Sequence, residues 1–210
     1  MLNNLFIGNA FLSFTGSNYI DLTTSLSSVQ GNNPRSFSFM IQTISTSDMG
    51  ILITGGTAPP VGYSHYFEIE FCATGQLKLV SLQGSTGPLY DSGCVGTALN
   101  DNNWHTVLVT YDGSILTLYE DSSISQYATS LTINTINNNY NYLGKSANYN
   151  FMGLLKNVIY YNYAVAPSVG NNILIYVFLN NLYIYVYYDI FYYIYIYQNI
   201  CSIKQLLIYF

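Results

Sequence analysis

Two consecutive β-hairpins are predicted by residues 99–123, which read LNDNNWHTVLVTYDGSILTLYEDSS. Residues 104–111 alternate large apolar with small polar side chains, as a half-buried strand does. Asp112-Gly113 follows, a pair that tolerates positive φ and is the strongest short-range signal for a hairpin. Residues 115–120 return as a second strand, and Asp121-Ser122 turns the chain again. We therefore expect an antiparallel meander in a stretch without obvious catalytic chemistry.

The same alternation extends on both sides of this stretch, punctuated by clusters of Gly, Asn, Asp and Ser. Further strands are predicted at residues 11–14, 19–22, 37–43, 51–54, 66–71, 76–82, 123–128, 140–143 and 154–161. No window shows a sustained apolar period of 3.6 residues. Regular short strands without helices between them indicate an all-β antiparallel sandwich or barrel.

Charge excludes two classes of partner. The 210 residues contain only five Lys and Arg against ten Asp and Glu, a net charge of −5. So few cations cannot neutralise a row of phosphates, so we expect no nucleic-acid binding and no attraction to anionic lipid. The first residues, MLNNLFIGNAFLSF, lack the basic and continuous apolar regions of a signal peptide. The compartment stays open.

Three cysteines occur, Cys72, Cys94 and Cys201, and none has the spacing of a zinc site. Cys72 and Cys94 would form a disulfide in an exported protein. In a reducing compartment they would be free thiols. The sequence leaves both alternatives open.

The composition changes sharply after Gly170. Residues 171–210 are dominated by Tyr, Ile, Asn, Leu and Phe and carry only two charges. Three interpretations remain open: translated AT-rich sequence without selected structure, a membrane anchor across residues 173–197, or a β-ribbon with a two-residue period. The protein contacts a membrane only if the anchor interpretation holds.

Four segments before this break resemble one family. They are residues 11–22 (FLSFTGSNYIDL), 37–41 (FSFMI), 103–113 (NWHTVLVTYDG) and 151–162 (FMGLLKNVIYYN). Their order and spacing are similar to the LamG-like group of concanavalin A-like lectin/glucanase jelly rolls, which also resembles pentraxins. The resemblance covers residues 8–169. It implies a jelly-roll β-sandwich, usually extracellular or at the cell surface, that binds glycans or proteins.

The pair Glu68 and Glu70 is the one enzymatic candidate. At positions i and i+2 of a strand, the two carboxylates project from one face about 7 Å apart, a separation within the range of glycosidases. Sandwich glucanases of related fold carry a Glu-x-Asp-x-x-Glu motif, but Glu70 replaces its Asp and the final Glu is missing. We expect an exposed polar face here, and a degenerate glycoside hydrolase is the alternative.

A rim-loop calcium site is the family's other implication. Asp48 falls where pentraxins place one Ca²⁺ ligand, and their acidic loop corresponds to residues 145–148, where only Asn148 keeps a ligand oxygen. Ca²⁺ needs several oxygen ligands. Asp48 and Asn148 are therefore weak metal candidates, and we expect no tight pentraxin-type site.

The remaining candidates form a recognition surface of tyrosines among Asn and Ser, whose amphipathic rings suit sugar or protein contact. They are Tyr63, Tyr66, Tyr90, Tyr140, Tyr142 and Tyr149. Trp104 is interpreted as a core anchor, His105 as sheet surface, and Asp112 and Asp121 as caps of their own turns. The predicted function is a non-catalytic module for glycan or protein ligands. A decaying gene fragment without activity is a further alternative.

Overall fold

The regular structure of the chain consists of β-strands. The computed structural model describes residues 5–7, 11–23, 26, 31–56, 65–82, 89–121, 123–128, 130–136, 140–165, 175–179, 182–187 and 193–197, and no helix occurs among them. The first strands are β1 (Leu5–Ile7), β2 (Leu12–Thr15), β3 (Ile20–Asp21), β4 (Arg35–Gln42), β5 (Met49–Gly55), β6 (Tyr66–Phe71) and β7 (Leu77–Leu82). They are followed by β8 (Leu89–Val95), β9 (His105–Tyr111), β10 (Leu116–Glu120), β11 (Ser123–Ala128), β12 (Tyr142–Leu143) and β13 (Met152–Tyr161).

These strands form two antiparallel sheets that pack as a sandwich. The first sheet has the order β1-β13-β4-β9-β10-β11, with β2 also paired to β13, and the second has the order β3-β12-β5-β6-β7-β8. Alternate residues of both sheets meet in one hydrophobic core, where the Phe37 and Phe67 rings lie 6.3 Å apart across the sandwich. The predicted all-β jelly-roll sandwich is thereby confirmed.

The β9–β10 hairpin has the geometry that its sequence predicts. Tyr111 pairs with Leu116, and Gly113 adopts a φ of 103° in the turn between them. The Asp112 carboxylate accepts hydrogen bonds from the backbone N–H groups of Ser114 (2.8 Å) and Ile115 (2.7 Å). Asp112 therefore caps its own turn, as expected from its residue type.

Two strands, β1 and β8, are additions to the sequence prediction. β8 carries the sequence LYDSGCV, in which Asp, Ser and Gly resemble a turn rather than a strand. It pairs with β7 at the edge of the second sheet, and Cys94 within it forms a disulfide with Cys72. Of the two alternatives for these cysteines, the structure has the disulfide.

The chain divides into two compact units, Met1–Val165 and Ala166–Phe210. The second unit contains β14 (Ile175–Leu179), β15 (Leu182–Tyr187) and β16 (Tyr193–Tyr197), paired in an antiparallel sheet. Its register places tyrosines opposite tyrosines: Tyr185 pairs with Tyr176 on β14 and with Tyr195 on β16. Among the residues that the structure describes, no helix has the length and apolarity to cross a bilayer.

Candidate functional site

The outer face of the second sheet, opposite the core, carries polar side chains from its central strands. On β6 and β7 the core-facing residues include Ile69 and Leu79. Because side chains alternate along a strand, Glu68 and Glu70 project from the other face. Glu70 lies opposite Lys78 in the β6–β7 register.

A loop between β12 and β13, residues 144–150, folds onto this outer face. The Gly144 N–H donates to the Ile51 carbonyl at 2.7 Å, and the Ser146 N–H donates to the Tyr149 carbonyl at 2.9 Å. Gly50 makes the close approach possible, since a Cβ atom there would lie 2.0 Å from the Ser146 backbone nitrogen. The 144–150 loop is therefore seated against β5, which has β3 and β12 on one side in the sheet and β6, β7 and β8 on the other.

Both glutamates lie beneath this loop. The Ala147 N–H donates to Glu68 Oε1 at 2.6 Å, and the Ser146 hydroxyl donates to Glu70 Oε1 at 2.9 Å. Glu68 and Glu70 are only 2% and 5% exposed. The expectation of an exposed polar face is therefore wrong, because strand alternation shows which face a side chain occupies but not whether a loop covers it.

Burial is the main cause of an unusual protonation equilibrium at Glu68. It raises the pKa of this carboxyl to about 8, with a further increase from the Glu70 charge and an opposing effect of the Ala147 N–H and Lys78. A neutral acid beside a second carboxyl group resembles the division of roles in glycosidases. A catalytic acid must come within hydrogen-bond distance of the glycosidic oxygen, however. The 144–150 loop covers Glu68, so a sugar has no access to it in this conformation.

An open groove of about 270 Å³ lies on one side of the loop. Lys78 spans its charged part, with Nζ 3.4 Å from Glu70 Oε2 and 3.2 Å from Asp91 Oδ2. Tyr149, at 40% exposure, contributes an accessible ring. We call this site the Tyr149 groove, and it is lined by Asp48, Glu70, Phe71, Cys72, Lys78, Asp91, Gly93, Cys94 and Tyr149.

The groove does not fit calcium. The Asp48 carboxylate accepts a hydrogen bond from the Ala73 N–H at 2.9 Å. The Lys78 ammonium lies within 4 Å of the Glu70 and Asp91 carboxylates. A cation at those oxygens would have to displace an ammonium group that is already paired. Within the described residues, no three acidic, His or Cys side chains are arranged to hold a metal. Asn148 does not line the groove.

On the other side of the loop, three tyrosines lie together, and two of them contact a lysine. The ring centroids of Tyr19 and Tyr142 are 4.8 Å apart, and those of Tyr140 and Tyr142 are 5.4 Å apart. Lys145 Nζ lies 4.6 Å from the Tyr19 centroid and 5.4 Å from that of Tyr142. We call Tyr19, Tyr140 and Tyr142 the tyrosine cluster.

The structure separates the six predicted tyrosines. Tyr140 and Tyr142 belong to the tyrosine cluster, and Tyr149 to the groove. Tyr90 packs against the core, whereas Tyr66 is half-buried and burial raises its pKa to about 12, with smaller contributions from nearby carboxylates. Tyr63 lies outside the described residues.

Sequence reasoning missed four residues of these two sites: Tyr19, Lys78, Asp91 and Lys145. Tyr19 was available as the first residue of a predicted strand. Asp91 could not be placed, because it lies on the unpredicted strand β8. The two lysines lacked a signal until the β6–β7 pairing and the position of the 144–150 loop were known.

Trp104, His105 and Asp121, all from the stretch 99–123, have other roles than predicted, and Trp104 differs most. Trp104 is absent from the core, and its half-buried ring lies 4.1 Å from Lys156 Nζ. Val107, Val109 and Tyr111 are the core residues here, so the alternation places even-numbered positions on the other face. The expectation of a core anchor was therefore wrong.

His105 is held between two aspartates. Its Nδ1 lies 2.9 Å from Asp121 Oδ2, and its Nε2 lies 2.8 Å from Asp101 Oδ1. Asp121 Oδ1 also accepts the Thr106 N–H at 2.8 Å, so this carboxylate binds the start of β9 instead of capping its own turn. The description of His105 as ordinary sheet surface missed these partners, which come from two different turns.

Several solved structures have a fold similar to that of this sandwich. The carbohydrate-binding module CBM40 of the Ruminococcus gnavus IT-sialidase aligns with a TM-score of 0.61 at 13% identity, over 76% of this chain and 94% of that one. The same module bound to α2,3-sialyllactose aligns with a TM-score of 0.60 at 12% identity, over 77% and 93%. Domain 4 of AbnA, an arabinanase of Geobacillus stearothermophilus, in complex with arabinotriose, aligns with a TM-score of 0.53 at 19% identity, over 79% and 84%.

At such identities these similarities show the fold alone. A comparison with curated protein sequences gives no match. A laminin G family model, described as the concanavalin A-like lectin/glucanases superfamily, matches residues 14–168. The match includes both sheets from β3 to β13 and the 144–150 loop. The chain therefore belongs to this laminin G family of the concanavalin A-like lectin/glucanase superfamily.

Proposed function

We propose that this domain is a non-catalytic module that binds a glycan in the Tyr149 groove. The observation that carries the proposal is the combination of an exposed aromatic ring with charged hydrogen-bonding groups in one concavity. Binding sites commonly combine a concave surface with a few well-placed polar groups. The class of ligand is supported by a carbohydrate-binding module and by an arabinotriose-bound domain of similar fold.

The groove offers the two kinds of contact that a sugar needs. The Tyr149 ring supplies an apolar surface for the C–H face of a pyranose or furanose ring, and its hydroxyl supplies a polar edge. The carboxylates of Asp48 and Asp91 accept hydrogen bonds from sugar hydroxyls, while the Lys78 ammonium donates them. The Lys78–Asp91 ion pair and the hydrogen bond from the Ala73 N–H to Asp48 hold these groups in place before a ligand arrives, which reduces the entropy cost of binding.

Burial of the glutamate pair argues against the hydrolase alternative. If Glu68 were a catalytic acid, the wild-type protein would hydrolyse a polysaccharide and Glu68→Gln would abolish turnover. We expect no turnover from either protein, measured by release of reducing ends. Turnover that Glu68→Gln abolishes would overturn the non-catalytic assignment.

The binding proposal is tested on the full chain with a glycan array followed by titration of the best ligand. We expect Tyr149→Ala to weaken binding at least about tenfold, because ring contacts at binding sites are worth more than 1 kcal/mol. Tyr163→Ala is the matched control, since Tyr163 is 42% exposed and follows β13 in the first sheet. Equal affinity of the two variants would rule out the groove, and a folded protein that binds no glycan would rule out the function.

A further inference from the structure

Lys145 differs from the other cations that the structure describes. Arg35 is 1% exposed, and the groove carboxylates pair with Lys78. Lys156 lies over the Trp104 ring, away from the second sheet. Two lysines lie on the outer face of the second sheet among the residues that the structure describes. Lys78 is paired with carboxylates, whereas Lys145 has no carboxylate of these residues within 4 Å of its ammonium group.

Its surroundings position this charge without neutralising it. Lys145 Nζ is within about 6 Å of two ring centroids, the range in which the ring quadrupole attracts a cation. This attraction holds the long side chain over the rings and lowers the entropy cost of using it. A ring carries no net charge, so the ammonium remains available to an anion.

Exposed aromatic surface continues next to the ammonium. Tyr19 is 46% exposed, and Tyr140 meets Tyr142 nearly perpendicular, at an interplanar angle of 88°. A ligand that rests on Tyr19 would place a substituent near Lys145 Nζ. The site therefore combines an apolar platform, phenol groups and one localised positive charge, while the Asp21 carboxylate, opposite Tyr142 in the register, accepts the Thr23 N–H at 2.8 Å.

We propose that the tyrosine cluster and Lys145 form a second binding site, separate from the Tyr149 groove, for an acidic saccharide. The sugar carboxylate pairs with Lys145, the C–H face of the ring packs on Tyr19, and sugar hydroxyls meet the phenols. This inference shares with the proposed function only the class of ligand. The two sites lie on opposite sides of the 144–150 loop.

The charge balance of the protein favours a ligand with a single carboxylate. One ammonium group can pair with one anionic group, whereas the net charge of −5 repels a dense polyanion. An acidic peptide or nucleic acid would require further cations, and the described outer face supplies none besides the paired Lys78. A monocarboxylated sugar satisfies both conditions.

A matched pair of sugars tests the inference directly. Methyl β-D-glucuronide and methyl β-D-glucoside differ only in a carboxylate in place of a hydroxymethyl group. In NMR titrations of the full chain, we expect the glucuronide to bind about two- to fivefold more tightly, the range for an exposed ion pair. The preference should shrink with added salt, since exposed charges are screened.

Two lysine variants test whether the preference for the glucuronide arises at Lys145. Lys145→Met keeps an apolar side chain over the rings and should remove the preference, whereas Lys156→Met removes the same charge from another aromatic contact and should preserve it. Equal binding of both sugars, binding of neither, or a preference that survives in Lys145→Met would overturn the inference. Tyr149→Ala should leave the preference intact, so loss of groove binding and loss of this site are distinguishable.

Discussion

At the residue scale, the buried Glu68 carboxyl makes the stability of the fold depend on pH. Its raised pKa means that the folded state favours the protonated carboxyl more than the unfolded chain does. The associated stability is present below the ordinary pKa of 4.5 and is lost as pH rises toward about 8. Glu68 therefore makes the fold less stable at alkaline pH than at mildly acidic pH.

Glu68→Gln should remove this dependence. An amide keeps an oxygen that can accept the Ala147 N–H but cannot ionise. We expect the free energy of unfolding of Glu68→Gln to change less between pH 4.5 and 8 than that of the wild type. At pH 8 the variant should be at least as stable as the wild type. Urea titrations at several pH values measure both. Parallel curves for the two proteins would show that Glu68 does not titrate in this window.

His105 should contribute a second pH effect of the same sign. Burial alone would lower the pKa of its imidazole, but the hydrogen bonds and charges of Asp121 and Asp101 outweigh burial and raise it. The stabilisation is full below the ordinary value of 6.5 and is lost as pH rises through the raised value. His105→Gln should therefore destabilise the fold more at pH 5 than at pH 9. An equal loss at both pH values would contradict an ion-paired imidazolium.

Single residues were the least predictable level from sequence. Alternation placed Trp104 in the core, whereas the structure places Val107 and Val109 there. His105 gained partners from turns 4 and 16 positions away in sequence. Such contacts depend on how loops cross the sheets, and a two-residue period contains no information about that.

At the element scale, a disulfide joins β8 to the residue that follows β6. The strand forms the edge of the second sheet and carries Asp91 and Gly93 to the groove. Cys72 and Cys94 are separated by 22 residues, and closing a loop of that size stabilises the fold by about 3 kcal/mol in the chain-entropy model. The disulfide thus supports both the edge strand and one wall of the site.

Replacing both cysteines by serine should lower the free energy of unfolding by about 3 kcal/mol and weaken binding in the Tyr149 groove. Denaturant titration and ligand titration measure the two effects. Binding at Lys145 should change less, because the tyrosine cluster lies at the other end of the sheet. A variant with unchanged stability and groove affinity would show that β8 does not need the crosslink.

The close contact between the 144–150 loop and Gly50 can be tested by substitution. Gly50→Ala would place a Cβ atom against the Ser146 backbone nitrogen, and overpacking of this kind costs about 2 kcal/mol. Gly93→Ala is the comparison, because Gly93 has a φ of 66° but no atom within 4 Å of an added Cβ. Its cost should be about 1 kcal/mol of backbone strain. A Gly50→Ala protein more stable than Gly93→Ala would contradict the tight loop contact.

Strands with regular alternation were predictable, whereas irregular ones were not. β6 was predicted at residues 66–71, as observed, and the β9–β10 hairpin followed from Asp112-Gly113. β8 was missed because its Asp, Ser and Gly have low strand propensity. It is held in the sheet by pairing with β7 and by a disulfide, and both are tertiary interactions.

At the scale of the whole molecule, the sandwich provides a sheet whose outer face is partly covered by the 144–150 loop. The all-β class and the jelly-roll sandwich followed from the sequence, together with the family. The two proposed binding surfaces did not, because each combines residues from separated segments: two for the tyrosine cluster and at least three for the Tyr149 groove. Tyr149, Lys78 and Asp91 meet only after β7, β8 and the loop are in place.

The most direct test is an NMR map of the full chain titrated with the best glycan from the array. Shifts centred on the amides of Lys78, Gly93 and Tyr149 are the predicted result, with little change along β4 and β9 of the first sheet. Tyr149→Ala should abolish these shifts, and Tyr163→Ala should retain them. Shifts confined to the first sheet, or shifts that persist in Tyr149→Ala, would contradict a glycan-binding groove on the second sheet.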